Sequence, residues 1–242
     1  MKYMGSKSRI SKEISEILNY YILNNNVESY VEPFVGGANM IENIICRNRY
    51  GLDSNKYLIN MWIALQNGWI PPKEITKEEY EKIRDNKDNY SDELVAFAGF
   101  VATYNAKWFG GYAGIVHTKI NTYRNYYDES RRNILKQIDK LLKVKFYNKR
   151  FQEIDVNKLK NCVVYCDPPY ENSTKYKDNF DHAEFWRWIR IISKSNIVFV
   201  SEYNAPEDFI SIWQKEMTTT LDKNSRKRDV EKLFVHSSQH KN

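Results

Sequence analysis

Asp167-Pro168-Pro169-Tyr170 places a carboxylate, two rigid prolines and a phenol on consecutive residues. They directly follow Cys162-Val163-Val164-Tyr165-Cys166, an apolar, β-branched run that predicts a buried strand. The four residues therefore stand just past the carboxyl end of a strand, where open α/β sheets bind ligands. The prolines fix φ and remove backbone donors, so the Pro168 carbonyl has no internal ladder to join and is left as an acceptor. A carboxylate, a carbonyl and a flat ring together suit a planar heterocycle bearing an NH2 group. Without such a guest the same letters read as a plain strand-to-loop turn, because Pro after Asp is ordinary turn chemistry.

Three constellations upstream bear on the same question. Val31-Glu32-Pro33-Phe34-Val35-Gly36-Gly37-Ala38-Asn39 runs from a strand into small residues and then a predicted helix. Small residues let a ligand approach the backbone where a helix N-terminus points. The run lacks the G-x-G-x-x-G spacing of a dinucleotide fingerprint, and no Walker lysine follows. By itself it reads equally well as a tight strand–helix turn. Asp53 ends the next predicted strand, where nucleoside-binding α/β folds place an acid for ribose hydroxyls; alone it could also cap the following helix. Tyr3-Met4-Gly5-Ser6-Lys7 is too polar and glycine-dependent for a strand, and alone reads as a frayed terminus.

The elements that must position these groups follow from periodicity. Ser8 to Leu23 carries Ile10, Ile14, Ile17 and Leu18 at helical spacing. Ser29 to Phe34 predicts a strand, Ala38 to about Cys46 a helix, Arg49 to Asp53 a strand and Asn55 to Gln66 a helix, before Pro71-Pro72 breaks the pattern. From there to about Leu142 the alternation stops. Helical segments Lys77 to Arg84, Leu94 to Thr103 and Glu129 to Leu142 surround the loop Trp108-Phe109-Gly110-Gly111-Tyr112. Alternation resumes with strands Val144 to Asn148 and Cys162 to Cys166, helix Ala183 to Ser193 and strand Asn196 to Ser201. A short helix near Pro206 to Gln214 is expected next. A final hairpin would have arms Glu216 to Leu221 and Val230 to Val235, around the basic turn Lys223-Asn224-Ser225-Arg226-Lys227-Arg228. The expected class is α/β: a doubly wound, mostly parallel sheet with a C-terminal β-hairpin, formed by residues 1–70 and 143–242, with a helical insertion at 71–142.

Composition narrows the partners. The chain has 242 residues, 42% of them hydrophobic, enough for one large domain with a sizeable core. Its net charge of +6 favours polyanions, and its 14% aromatic content suits stacking on bases. Cys46, Cys162 and Cys166 have no metal-ligand spacing, and their odd number without a secretory leader predicts reduced thiols in a cytosol. No stretch approaches the roughly 18 apolar residues a membrane helix needs, so neither a metal nor a membrane is expected.

Taken in chain order, Tyr3–Lys7, Glu32–Asn39, Asp53, a helical insertion and Asp167–Tyr170 resemble the Dam-like DNA adenine-N6 methyltransferases, the α-ordered group that uses S-adenosylmethionine. Members open with Trp/Tyr-x-Gly-Gly-Lys, where this chain has Tyr3-Met4-Gly5-Ser6-Lys7. Their turn reads close to Glu-Pro-Phe-x-Gly-Gly-Gly, here Glu32-Pro33-Phe34-Val35-Gly36-Gly37-Ala38, and Tyr-Cys-Asp-Pro-Pro-Tyr recurs in full at Tyr165 to Tyr170. The departures, Ser6 and Ala38, are both small. The resemblance covers nearly the whole core but matches no letters of the insertion.

The resemblance implies a Rossmann-like methyltransferase core acting on double-stranded DNA. By position it assigns Tyr3, Lys7, Glu32, Phe34, Gly36, Gly37, Asp53 and Asp167 to the cofactor. Lys7 would meet the cofactor's carboxylate and Asp53 its ribose, with Phe151 a candidate for its adenine. Asp167, Pro168, Pro169 and Tyr170 are assigned to catalysis, Tyr170 stacking on a flipped adenine. Lys107, Trp108 and Arg124 in the insertion, and Arg226 and Arg228 in the basic turn, are expected to touch DNA. The alternatives are a cytosine-N4 or RNA methyltransferase of the same fold and a catalytically silent DNA-binding relative. A small-molecule methyltransferase fits less well with Lys107, Lys119, Arg124, Arg131 and Arg132 in the insertion, although Arg131 and Arg132 also suit a solvated helical face.

Overall fold

The computed structural model describes residues 1–3, 5–117, 122–170, 180–219 and 227–239. Its strands are β1 (Ser29–Glu32), β2 (Asn48–Asp53), β3 (Ile115–His117), β4 (Tyr123–Asn125), β5 (Val144–Asn148), β6 (Cys162–Cys166), β7 (Ile197–Glu202), β8 (Phe209–Thr219) and β9 (Lys227–His236). Its α-helices are α1 (Ser11–Asn24), α2 (Lys56–Gln66), α3 (Lys77–Asp85), α4 (Asp92–Ala96), α5 (Tyr126–Leu141) and α6 (His182–Ile192). Seven strands form a sheet in the order β5-β2-β1-β6-β7-β9-β8. β2 and β5 pair in parallel, as do β1, β6 and β7, while β9 runs antiparallel to β7 and β8. The expected mostly parallel α/β sheet ending in a hairpin is therefore present.

The chain divides into two compact units, the first comprising Met1–Ser15, Val35–Ile44 and Arg49–Lys149, the second Glu16–Phe34, Ile45–Asn48 and Arg150–Asn242. The first holds the helical stretch 71–142 together with β2, α2 and β5. Asn55 caps α2 by accepting the Leu58 N–H at 3.1 Å, and α3 starts on a Thr76/Glu79 capping box. Trp62 of α2 is fully buried and stacks on Phe146 of β5 at 6.0 Å, and Gln66 donates to the Leu141 and Val144 carbonyls. α4 runs on as a wider π turn over Phe97–Val101, all of it buried.

The second unit packs around β6, whose five residues are all buried, and the apolar face of α6. Tyr165 and Ser201 share a hydrogen bond at 2.8 Å between β6 and β7. Asp181 caps α6, and Arg190 near its end forks onto Asp208 at 2.5 and 2.7 Å.

Three local expectations are corrected. Residues 38–46 do not form an α-helix, only a short 3-10 turn at Ile41–Asn43. Gly36 and Ala38 take φ of +46° and +54°, and two left-handed residues in three cannot open a right-handed helix. The helix near Pro206 to Gln214 is instead the start of β8, which pairs with β9 from Phe209 onward across a bulge at Ser211/Trp213. The insertion also contains the unexpected antiparallel pair β3–β4. All six of its residues are exposed, so no two-residue burial period marks it in the sequence.

Candidate active site

In the first unit the glycine turn is braced from several directions. Asp53, at the carboxyl end of β2, accepts the Gly36 N–H at 3.0 Å on one oxygen and the Asn55 N–H at 2.9 Å on the other. Burial raises its carboxyl above the ordinary 3.8, while those two N–H groups pull the other way. Asp53 is thus a brace of the turn, and the cap of α2 is Asn55. The Trp62 indole donates to the Gly36 carbonyl at 3.1 Å, and buried Gln137 of α5 donates to the Gly37 carbonyl at 3.0 Å.

The N-terminal run is not frayed. The Tyr3 side chain lies on the turn: a Cβ at Gly37 would stand 2.7 Å from the Tyr3 Cβ, and one at Gly36 2.9 Å from its ring. Tyr3 also meets the Phe100 ring at 5.4 Å. The α-amino group of Met1 donates to Asn39 at 3.1 Å and to Gln137, and burial lowers it from 8.0 to about 6. Asn39 returns bonds to the Met1 carbonyl and to Ser6. Lys7 is buried in the same unit, its carbonyl accepting the Ile10 N–H. Of the predicted cofactor residues, then, Tyr3, Gly36, Gly37 and Asp53 are brought into direct contact.

In the second unit, Asp167 leaves the carboxyl end of β6 half-buried, followed by buried Pro168. The Tyr170 hydroxyl donates to Glu231 of β9 at 2.7 Å, and its ring meets Tyr203 edge-on at 4.6 Å. Burial, and then the carboxylates of Asp167 and Glu231, push the phenol well above its usual range, so it stays a donor. Glu32, the last residue of β1, is buried and accepts the Tyr30 hydroxyl at 3.1 Å. Phe34 joins a ring cluster with Phe151, Phe180 and Phe185 at 5.8–5.9 Å. Phe151 is buried there and also meets Trp188, whereas Phe34 keeps exposed surface.

The predicted DNA-binding residues differ among themselves. Lys107 is exposed. Trp108 is half-buried, stacked on Tyr57 at 5.6 Å and tilted against Phe100 at 4.6 Å, and a Cβ at Gly99 would stand 2.4 Å from its ring. Arg124 forks onto Glu129 at 2.7 and 2.8 Å, its guanidinium 4.6 Å above the Tyr126 ring. Arg131 donates to the Pro71 carbonyl, and Arg132 pairs with Asp128 on its own helix. Arg228 lies on β9 in register with Thr218, while Lys119, Arg226 and most of the basic turn lie outside the described residues.

Gln137, Tyr203 and Glu231 hold parts of these constellations and carried no weight in the sequence. Gln137 had a readable signal, since Ile134, Gln137 and Leu141 follow the buried stripe of α5, where a polar residue needs a partner. Glu231 had none, because an acid in a hairpin arm looks like any solvated strand residue. Among the described residues no helix is long and apolar enough to cross a membrane, and no group of three or more His, Cys, Asp or Glu is placed to hold a metal.

The chain is 28% identical over 230 residues to the type II methyltransferase M.MjaIII of Methanocaldococcus jannaschii, covering 77% of this chain and 78% of that one. Among solved structures it is similar to the rRNA methyltransferase aviRa from Streptomyces viridochromogenes, with a TM-score of 0.46 at 9% identity, covering 96% of this chain and 86% of that one. It is also similar to tRNA (m1A58) methyltransferase TrmI from Aquifex aeolicus, with a TM-score of 0.34 at 9% identity, covering 90% and 67%. Residues 3–188, from the Tyr3 run through the tetrad and into α6, match the D12 class N6 adenine-specific DNA methyltransferases, and the chain belongs to that family.

Proposed function

We propose that the protein moves a methyl group from S-adenosylmethionine to N6 of an adenine rotated out of double-stranded DNA at a short recognition sequence. The observation that carries this reading is the tetrad at the end of β6, with its phenol fixed on Glu231 and its ring edge on Tyr203. The target nitrogen lies inside the duplex, so the base must leave the stack. That costs a few kcal/mol, returned by stacking and hydrogen bonds in the pocket. Tyr170 supplies the stacking ring. The Asp167 carboxylate and the Pro168 carbonyl accept hydrogen bonds from the two amino hydrogens. This draws the nitrogen towards tetrahedral geometry and localises a lone pair otherwise delocalised into the ring. Asp167 also stabilises the positive charge that develops on that nitrogen. Fixing both reactants in near-attack geometry contributes up to roughly 7–11 kcal/mol.

The residues suit the cofactor. Each Asp53 oxygen accepts one backbone N–H and keeps a second lone pair for a ribose hydroxyl. At Gly5 nothing lies within 4 Å of where a Cβ would stand, which leaves open surface on the N-terminal run. Lys7 would hold the cofactor's carboxylate, and Phe151 its adenine, reached at the exposed surface that Phe34 gives their shared ring cluster. S-adenosylmethionine, when bound, supplies a methyl group already activated on a sulfonium. Residues 71–142 supply target recognition, with Lys107, Trp108 and Arg124 meeting DNA, while Arg226 and Arg228 meet phosphates, all in a cytosolic setting. Arg124 must share or leave Glu129 to read a base. Long-read sequencing of DNA from cells expressing the protein tests the reading. N6-methyladenine at one motif is expected; N4-methylcytosine, or unmodified DNA, would overturn it.

A further inference from the structure

We infer that Glu231 is a positioning residue for the target base, acting through the Tyr170 hydroxyl; the inference rests on the proposed stacking role of Tyr170. A tyrosine ring can rotate about its axis and swing at its tip, and a stacking platform must do neither. Tyr170 is restrained by the Tyr203 ring, edge-on at 4.6 Å and 74°, and by the Glu231 carboxylate at 2.7 Å. The first limits tilt, and the second pins the tip. A phenol donating to a carboxylate at this length belongs to the stronger class of hydrogen bond. Glu231 is itself held in the sheet, in register with Lys215 of β8, and is half-buried, so its carboxylate is anchored by the strand that carries it. That strand begins at Lys227, so the residue that orients the stacking ring lies in the same hairpin arm as Arg228. A phenol of raised pKa fits this picture, because the bond needs the proton to stay on oxygen.

A purely structural bond would anchor the hairpin and leave the bound base unaffected, so the test reads the base. Once sequencing has given the motif, a duplex carrying 2-aminopurine at the target position reports stacking by its fluorescence. Parallel steady-state assays on adenine DNA report kcat and KM. Glu231→Leu should lower kcat about tenfold, the scale of one hydrogen bond to a charged group, with KM for DNA little changed. The bound 2-aminopurine should brighten as the quenching ring loosens. Glu231→Gln, whose amide oxygen still accepts from the phenol, should recover most of the rate. Tyr170→Phe removes the same bond from its other end and should reproduce the loss, which keeps the test open if Glu231→Leu folds poorly. In the Tyr170→Phe background Glu231→Leu should cost nothing more. If it costs as much there as in the parent, or if Tyr170→Phe and Glu231→Leu both behave like the parent while Tyr170→Ala is inactive, the inference fails and the stacking role stands. An active Tyr170→Ala would instead remove the stacking role itself.

Discussion

The glycine turn and the tetrad are held in opposite ways. Around Gly36 and Gly37 the backbone itself is gripped: Asp53 takes an N–H, Trp62 and Gln137 donate to the two carbonyls, and the Tyr3 side chain lies against both α-carbons. At the tetrad the Tyr170 side chain is held by its hydroxyl and its ring edge. The first arrangement removes backbone freedom and leaves no room for a methyl group. The second aims a half-buried aromatic ring by contacts at its margin. On the proposed function the difference has a reason. A turn beneath a small cofactor needs one fixed shape, whereas a ring that receives a base arriving from a duplex needs an open face and a restrained direction.

The largest effect should come from the acceptor pair. Asp167→Ala should abolish methyl transfer while the protein stays folded. Retention of more than about a tenth of the rate, only about 1.4 kcal/mol of barrier, would sink the catalytic assignment. Circular dichroism should show the variant folded, which makes the loss one of chemistry rather than of structure.

Next in size is Gly37→Ala. Its added methyl group would stand 2.7 Å from the Tyr3 Cβ, so either the turn or the N-terminal run must shift. Overpacking of this kind costs about 1–3 kcal/mol, and chemical denaturation should show it. Gly5→Ala meets nothing within 4 Å and should cost only the strain of a φ of +80°. Equal losses at the two positions would remove Tyr3 as the reason the turn needs glycine.

A pH test addresses the brace. Burial raises the folded Asp53 carboxyl above 3.8. Between that value and the raised one the folded state binds more protons than the unfolded chain, so stability falls as pH rises through the window. Asp53→Asn removes the titration. Its thermal midpoint relative to the parent should therefore climb as pH rises above 3.8, and calorimetry showing a pH-independent difference would contradict the burial. The same variant should bind S-adenosylmethionine more weakly, because an amide cannot accept from two ribose hydroxyls as a carboxylate does.

The smallest effect belongs to the insertion. An Arg on a guanine edge is worth about 1–3 kcal/mol of discrimination, so Arg124→Ala should relax the methylated motif more than it slows methylation of the best site. An unchanged motif in sequencing data would leave Arg124 as the partner of Glu129 and Tyr126 alone.

Much of this molecule was written locally. β5 and β6 have the bounds their sequences predict: β6 is an apolar run buried throughout, and β5 buries Val144 and Phe146 at alternate positions. The tetrad is consecutive, and its place after β6 follows from chain direction. The turn at Gly36 and the end of β2 at Asp53 are equally short-range. Composition and motif order together were enough for the fold class and the family. What the chain could not announce is who meets whom at distance. Gln137 reaches the Gly37 carbonyl across 100 residues, and Glu231 reaches Tyr170 across 61. Trp108, read as a DNA contact, lies on Gly99 of a π turn. A predicted helix after the turn gave way to the left-handed Gly36 and Ala38, and one before the hairpin gave way to pairing with β9. Periodicity and turn chemistry act within a few residues, so sequence determines them directly. A hydrogen bond between distant side chains depends on strand register and helix placement, and those are decided only when the whole chain has packed.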